Sequence, residues 1–436
     1  MEASEGFEEF ARHVNPALSR FLRVSSRDFR FVEADDCVLR TSDGVTFTDW
    51  ISGFGTLSFG HHPAFAESAL REALGSRAPH LYTETLNPFA GQLATALVQA
   101  AGTEFETCFF ACGGAEAVEA ALKTCALVSG RSKILCLSEG YHGTTLGALG
   151  CMARGLYRDP FERLLAPIFE SVDLGDMAAL EKQLASGEYA ALLLEPIQME
   201  AGARIVPNDY LIAARRFCTE HGTLLVFDEI QTGLGRTGEL FAFQHSGVRP
   251  DAFTLGKALG AGLVPISAVV FGPGLWEKAY GSPLRSEIHN STLGGSVLAC
   301  RVALAVLEQL QSPIFMAGVR ARSEELSRLL ARVGERHRSV TRVSLRGLLG
   351  GIQLKSATHP WATWSGLGLP ELEPRPSAGA LLVQRLSKHG ILAHLCGHDW
   401  SVLRLEPPLT IGSDACQAFA RALDESLTWL EQDVLD

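Results

Sequence analysis

Several absences narrow the class of this chain. No run approaches the ~18 uncharged apolar residues of a membrane span, so no membrane partner is expected. The opening MEASEGFEEFARH is acidic and has no apolar h-region, so no secretory signal is expected. The ten cysteines (Cys37, Cys108, Cys112, Cys125, Cys136, Cys151, Cys218, Cys300, Cys396 and Cys416) include no CxxC pair. Several sit in apolar runs, as Cys136 does in KILCLSE, and read as buried free thiols in a reducing compartment. No metal site follows from them, and a cytoplasmic location is expected. Basic charge is also in deficit: 38 Lys+Arg stand against 49 Asp+Glu, a formal net charge of −11. A chain of that sign is a poor general binder of phosphate backbones, which argues against nucleic acid as a partner. There is no internal repeat and no low-complexity tract.

What is present suits a large folded core. Hydrophobic residues make up 47% and charged residues 20% of 436 positions, enough to exclude disorder. At ~150 residues per domain, two or three domains fit, or one large domain with an appendage. LRTSDGVTFTDW (39–50) carries a Ser42-Asp43-Gly44 turn signal and predicts a hairpin. PAFAESALREAL (63–74) predicts a helix with Pro at its start. From about 80 to 275, short apolar runs alternate with helical patterns. ETCFFA, SKILCLSE, YAALLLEP, TLLVFDE and ISAVVFG read as strands buried on both faces, hence a mostly parallel sheet in an α/β domain. NDYLIAARRFCTEHG (208–222) reads as a helix with Asn208 as cap and Gly222 as stop. VLACRVALAVLEQLQ and AGVRARSEELSRLLARVGERH predict long amphipathic helices, and RGLLGGIQL and SVLRLEPPL strands of a smaller α+β part. Between them, residues 355–378 hold four Pro and two Trp with no clear period. This is a long loop, either a lid or specificity element or an interface insertion.

Four features carry chemistry, all at predicted strand ends, where open parallel sheets bind ligands. Ala111-Cys112-Gly113-Gly114-Ala115 leads a strand through two glycines into a helix, which is either an anion site at a helix N-terminus or a plain turn. Asp228-Glu229 closes an apolar strand, as a buried acid with a partner or as a cap or salt bridge. The glycines that follow, Gly233, Gly235 and Gly238, fit G-x-G-x-x-G, but no helix opens on them and no acid stands ~20 residues on, so a dinucleotide fingerprint is rejected. Lys257, in TLGKALGAG, is either an ordinary loop lysine or a desolvated amine nucleophile. Tyr141-His142, between Gly140 and Gly143, is either packing or a stacking platform. Taken together, a phosphate cradle, a stacking ring, a buried acid and a desolvated lysine are the parts of a pyridoxal phosphate site.

DEIQTGLGRTG, TLGKALG and STLGG, in that order and spacing, resemble the class III pyridoxal phosphate-dependent aminotransferases, of the ornithine and putrescine aminotransferase type. The likeness runs over about 40–410, from SGFGTLSFGHHP to VLRLEPPLTI. It implies an α/β protein of fold type I: a large cofactor-binding domain (71–315) with a seven-stranded, mainly parallel sheet, a small α+β domain from both termini (1–70 and 316–436), and a homodimer with shared active sites. It also implies roles. Lys257 would be the Schiff-base lysine and the acid–base group. Asp228 would face the pyridinium nitrogen, Gln231 the 3′-oxygen side of the ring, with Glu195 nearby and Tyr141 stacked on the ring beside His142. Gly113, Gly114 and Ala115 would hold the phosphate, and Thr292 would reach the phosphate of the other subunit's cofactor. Arg404 would bind a substrate carboxylate, with Glu200 as its partner when none is present.

Three sites depart from the family pattern. Cys112-Gly113 stand where Asn-Ser or Asn-Thr is usual, which removes a hydroxyl from the phosphate site. Met199 replaces a Gly beside Glu200, which is expected to add bulk to the pocket. Ser296-Val297 replace Asn-Pro. The implied activity is amino transfer from a donor such as glutamate or alanine to an aldehyde or ketone, or the reverse on an ω-amine. The same parts also suit an aminomutase, a decarboxylating transaminase or a non-catalytic binding protein that keeps the fold.

Overall fold

Strands of four to six mostly apolar residues build the central sheet: β1 (Thr107–Ala111), β2 (Lys133–Leu137), β3 (Phe169–Val172), β4 (Tyr189–Leu194), β5 (Leu224–Asp228), β6 (Ala252–Leu255) and β7 (Ser267–Phe271). The computed structural model describes residues 3–24, 27–152, 154–357, 359–373 and 375–434. The spatial order is β1-β7-β6-β5-β4-β2-β3. Every neighbouring pair from β6 to β3 is parallel, whereas β7 runs antiparallel to both β6 and β1. The sheet is thus mainly parallel, as the continuous apolar runs predict.

Both faces of the sheet are covered, and side-chain alternation divides them. Leu192, Leu194, Leu225 and Phe227 enter one apolar cluster, while Ala191, Leu193 and Val226 enter another. The second cluster is roofed by α1 (Gly114–Ser129), whose Ala117, Val118, Ala120 and Ala121 are buried. The next long helix in this domain, α2 (Asn208–His221), ends at Gly222 in the left-handed region (φ 65), a turn that favours glycine. Its start differs from expectation: Pro207 is the cap residue, and the Asn208 side chain bonds instead to the His245 carbonyl.

The smaller sheets draw on both ends of the chain. The expected hairpin forms from Val38–Thr41 and Thr46–Asp49. Phe31–Asp35 joins it on one side and the distant Ile391–Leu392 on the other. Val340–Arg346, Leu349–Leu354 and Val402–Leu405 make an antiparallel three-stranded sheet. No single helix among the described residues is long and apolar enough to cross a membrane.

Trp50, just after the hairpin, stacks on Phe419 of the C-terminal helix Ser413–Asp433 at 3.8 Å between ring centroids, with both side chains fully buried. This contact ties the two chain ends together far in sequence from either partner's neighbours. Trp50→Ala is expected to cost about 3–5 kcal/mol by guanidinium unfolding, as large aromatic deletions do in cores that relax incompletely. A loss below about 1 kcal/mol would show that the contact is not part of the cooperative core.

Candidate active site

The four sequence features meet at one edge of the sheet. Asp228 ends β5, Lys257 lies two residues beyond β6, Glu195 follows β4, Tyr141 and His142 follow β2, and Gly113-Gly114 follow β1. All are carboxyl ends of strands sharing one direction, because two antiparallel pairings bring β1 back into line with β6.

Local backbone explains how each group is aimed. Lys257 sits in the left-handed region (φ 43), a strained conformation for a residue with a Cβ, directly after the extended Gly256. Gly143 (φ 115) lies so close to Ala115 that a Cβ there would come within 2.6 Å of the alanine Cβ. A Cβ on Gly114 would come within 2.9 Å of Ile230. These glycines let the helix start, the Tyr141-His142 loop and the strand end converge. Helix α1 opens at Gly113 with no side-chain cap, so the Gly114 and Ala115 N–H groups have no intrahelical partner. The Cys112 N–H, by contrast, is taken by the Glu116 carboxylate at 2.8 Å.

The acidic pair at the end of β5 splits between two roles. Asp228 faces the site. Its Oδ2 accepts from His142 Nδ1 at 2.8 Å, and its Oδ1 accepts from Thr254 Oγ1 at 3.0 Å and from the Ile230 N–H at 3.1 Å. Glu229 turns to the other side and accepts from the Ala242 and Phe243 N–H groups, at 2.6 and 2.8 Å. It is a structural cap, and burial pushes its pKa up to about 7. Burial disfavours a charged His142, yet the hydrogen bond and charge of Asp228 outweigh this and hold the pKa above the ordinary value. Glu195 accepts from the Tyr141 N–H at 2.8 Å, and burial pushes its pKa up to about 8. Desolvation pulls Lys257 below the usual amine range, although Glu406, Glu200 and Asp228 oppose it.

Arg404, on the strand Val402–Leu405, is fully buried and flanked by two carboxylates. One Nη2 contact goes to Glu200 Oε1, and Nη1 donates to Glu406 Oε2 at 3.0 Å. Its guanidinium lies 4.9 Å over the Phe54 ring. Desolvation works against the charge of Arg404, but Glu200 and Glu406 overcome it and raise the pKa. Glu200 is held below the usual carboxylate range: burial opposes this, and the Arg404 charge and hydrogen bond prevail. Gln231 donates through Nε2 to both Glu406 oxygens at 2.9 Å. Tyr141, Tyr157 and His398 form an aromatic group beside Glu200, with centroids 5.6–6.0 Å apart.

One expectation is overturned, and the remaining features take definite places. Met199 exposes no surface to the site: it is fully buried in a cluster with Ile197, Ala203, Leu349, Cys396 and Val402. Thr292 stands on an exposed loop, and its neighbour Ser291 lies 3.5 Å from Glu116 at the start of α1. The 355–378 loop is folded around Trp364, whose Nε1 donates to the Arg375 carbonyl at 2.7 Å. Arg375 lies 4.2 Å over Trp400, and these tryptophans, with Leu367, Leu381 and His394, line an apolar cavity next to Phe54. The Gly233–Gly238 loop opens no helix; its Arg236 is buried and donates to the Ser58 hydroxyl and to the Leu348 and Pro407 carbonyls.

Glu406 is the main residue that sequence reasoning missed. The signal was available, because residues i and i+2 share a face on a strand, and Glu406 follows Arg404 by two. Tyr157, His398 and Phe54 had no such signal, being brought in by long-range folding. Among the described residues no group of His, Cys, Asp and Glu is arranged to hold a metal.

Comparison with known proteins agrees with this geometry. Residues 23–427 match the family model "Aminotransferase class-III". The chain is 33% identical to the aminotransferase PigE of a Serratia species over 97% of its own length, and it spans 54% of that longer protein. It is 33% identical to the putrescine aminotransferase of Pectobacterium atrosepticum, over 96% of this chain and 86% of that one. Among solved structures, an ornithine aminotransferase from Toxoplasma gondii superposes with a TM-score of 0.84 at 26% identity, covering 99% of this chain and 96% of that one. A taurine:2-oxoglutarate aminotransferase from Bifidobacterium kashiwanohense, solved with PLP and glutamate, gives 0.83 at 25% identity, covering 93% and 94%. The chain belongs to the class III aminotransferases, pyridoxal phosphate-dependent enzymes of fold type I.

Glu195 makes the site's pH dependence testable. The folded protein holds a proton on Glu195 up to about 8, whereas the unfolded chain loses it near 4.5. Between those values the native state binds the extra proton, so this group's contribution to stability falls as pH rises. Glu195→Gln keeps an acceptor for Tyr141 and removes the titration. Its stability relative to the parent is expected to grow from pH 5 to pH 8, by the order of a few kcal/mol in urea unfolding. A pH-independent difference would contradict the burial argument.

Proposed function

We propose that this enzyme moves an amino group between an amino-acid donor, glutamate or alanine, and an aldehyde, ketone or ω-amine partner, acting as a cytoplasmic homodimer. The observation that carries this reading is Arg404 held between carboxylates close to a desolvated Lys257. Arg cannot shed its proton, so it needs a counter-charge whenever the substrate offers none. Glu200 supplies it for a substrate lacking a carboxylate and yields Arg404 to a substrate that has one. One pocket thereby serves both halves of a two-substrate exchange. The putrescine aminotransferase and the glutamate-bound structure among the relatives support the amine and the amino-acid sides in turn.

The residues present fit pyridoxal phosphate. The uncapped start of α1 offers the Gly114 and Ala115 N–H groups to an anion with the helix dipole behind them, and Gly113 leaves room for its approach. Asp228, fixed through three hydrogen bonds, is set to pair with a ring nitrogen cation. Gln231 and Glu195 would meet the ring edge, and Tyr141 would offer its face. When bound, the cofactor supplies an electrophilic carbon for the amine and an electron sink for the electrons of the Cα–H bond.

The chain's own groups supply the proton chemistry. Lys257 Nζ, its basicity reduced by desolvation, would take the proton from the substrate Cα and hold it for return. His142 holds Asp228 in place from behind. Arg404 orients the donor by its carboxylate. Thr292, on its exposed loop, reaches the partner subunit's phosphate site. The exposed Leu284, Ile288 and Leu293 on that loop, with Leu86, support burial of this region against a second copy.

Lys257→Ala is expected to retain cofactor binding through Asp228 and the helix start while losing at least about 10²-fold in turnover, the size of a positioned acid–base group. Turnover assays with glutamate and a separate aldehyde acceptor check this. Transfer that persists in the variant, or turnover of one substrate with no acceptor, would overturn the reading.

A further inference from the structure

Arg404 has two carboxylate partners, and they are not equivalent. Glu200 keeps 13% of its side chain exposed and follows the short strand Ile197–Gln198. Apart from Arg404, its carboxylate accepts from the Gly397 N–H at 2.7 Å. Glu406 is wholly inaccessible. Gln231 donates to both of its oxygens. A Cβ on Gly55 (φ 82) would come within 2.4 Å of Glu406 Oε1, so the chain at Gly55 closes over the carboxylate. Its backbone is pinned as well: the N–H donates to the Trp50 carbonyl at 3.2 Å, and the carbonyl accepts from Ser52 Oγ at 2.6 Å. Arg236 holds the following Pro407 carbonyl.

We infer that Glu406 is a specificity-determining residue, a fixed counter-charge on Arg404 that biases this site toward amines and aldehydes without a carboxylate next to the reacting carbon. This rests on the reading of Arg404 as the carboxylate-binding group. With Glu200 in place, the Arg404 cluster carries one positive and two negative groups, so it attracts a neutral or cationic substrate end. When an amino acid enters, Glu200 is displaced but Glu406 is not. The incoming carboxylate therefore shares its arginine with a charge of its own sign, in a buried setting where such repulsion is poorly screened. The Gln231 contact makes the device part of the ring-binding wall, so neither residue moves without the other.

Glu406→Gln tests this, because the amide still accepts from Gln231 and Arg404 while the charge is gone. The probe is glutarate, a carboxylate that cannot be transaminated, titrated calorimetrically into the holoenzyme. The variant is expected to bind glutarate at least about tenfold more tightly than the parent. The steady-state KM for glutamate is expected to fall by a similar factor, while the KM for putrescine does not fall. Glu406→Leu carries the same expectation should the amide variant not accumulate. Glu406→Asp, which keeps the charge, is expected to leave glutarate affinity near the parental value. Unchanged glutarate affinity in both charge-removing variants, or an equal shift of the glutamate and putrescine KM values, would overturn the assignment. Arg404→Met separates the two levels: if that variant binds glutarate as the parent does, the reading of Arg404 fails, whatever Glu406 does.

Discussion

The structure depends on keeping one amine dry among charges. Lys257 is placed by a strained left-handed residue just past a fully buried strand, and its surroundings are built so that an ammonium is less comfortable there than in water. Three carboxylates nearby, on Glu406, Glu200 and Asp228, pull the other way. Left alone they would restore its charge. Each of the three instead has a cationic partner or a set of hydrogen-bond donors of its own, and this leaves desolvation as the stronger influence on Lys257. The sheet supplies the geometry, since adjacent parallel strands deliver Asp228 and Lys257 to one edge in register, with Val226 opposite Ala252 and Asp228 opposite Thr254.

Charge balance organises the rest of the site. Asp228 is matched by His142, and Arg404 by two glutamates of different accessibility. Glu195 remains a neutral acid because no cation reaches it closely enough to offset burial. Pairs of titratable groups pushed apart by their surroundings mark functional sites in general, and here the division is unusually legible. One acid of the Asp228-Glu229 pair faces the site and its neighbour caps a turn, because successive strand residues point to opposite faces.

Much of this is legible in the amino-acid sequence. The alternation of apolar runs and helices foretold the sheet, and the glycine-flanked Lys257 and Tyr141 stood out because their neighbours are atypical of exposed loops. Local patterns carry that information. What escaped is of two kinds. The helices Ala3–His13 and Pro16–Val24 and the strand Val340–Arg346 have mixed composition and are defined by what they pack on. Met199 was misread because its exposure depends on a distant cluster around Val402, and the aromatic group of Tyr157 and His398 joins residues far apart in sequence. Glu406 is an intermediate case: its spacing from Arg404 was visible, but its bond to Gln231, at a sequence separation of 175, was not.

The central claim is that the ε-amine of Lys257 is the group that holds the cofactor. Borohydride reduction of the holoenzyme, followed by proteolysis and peptide mapping, tests it most directly. A single stable modification on the peptide containing Thr254-Leu255-Gly256-Lys257, at the lysine itself, is the predicted result. A modification on any other lysine, or recovery of that peptide unmodified, would contradict the account.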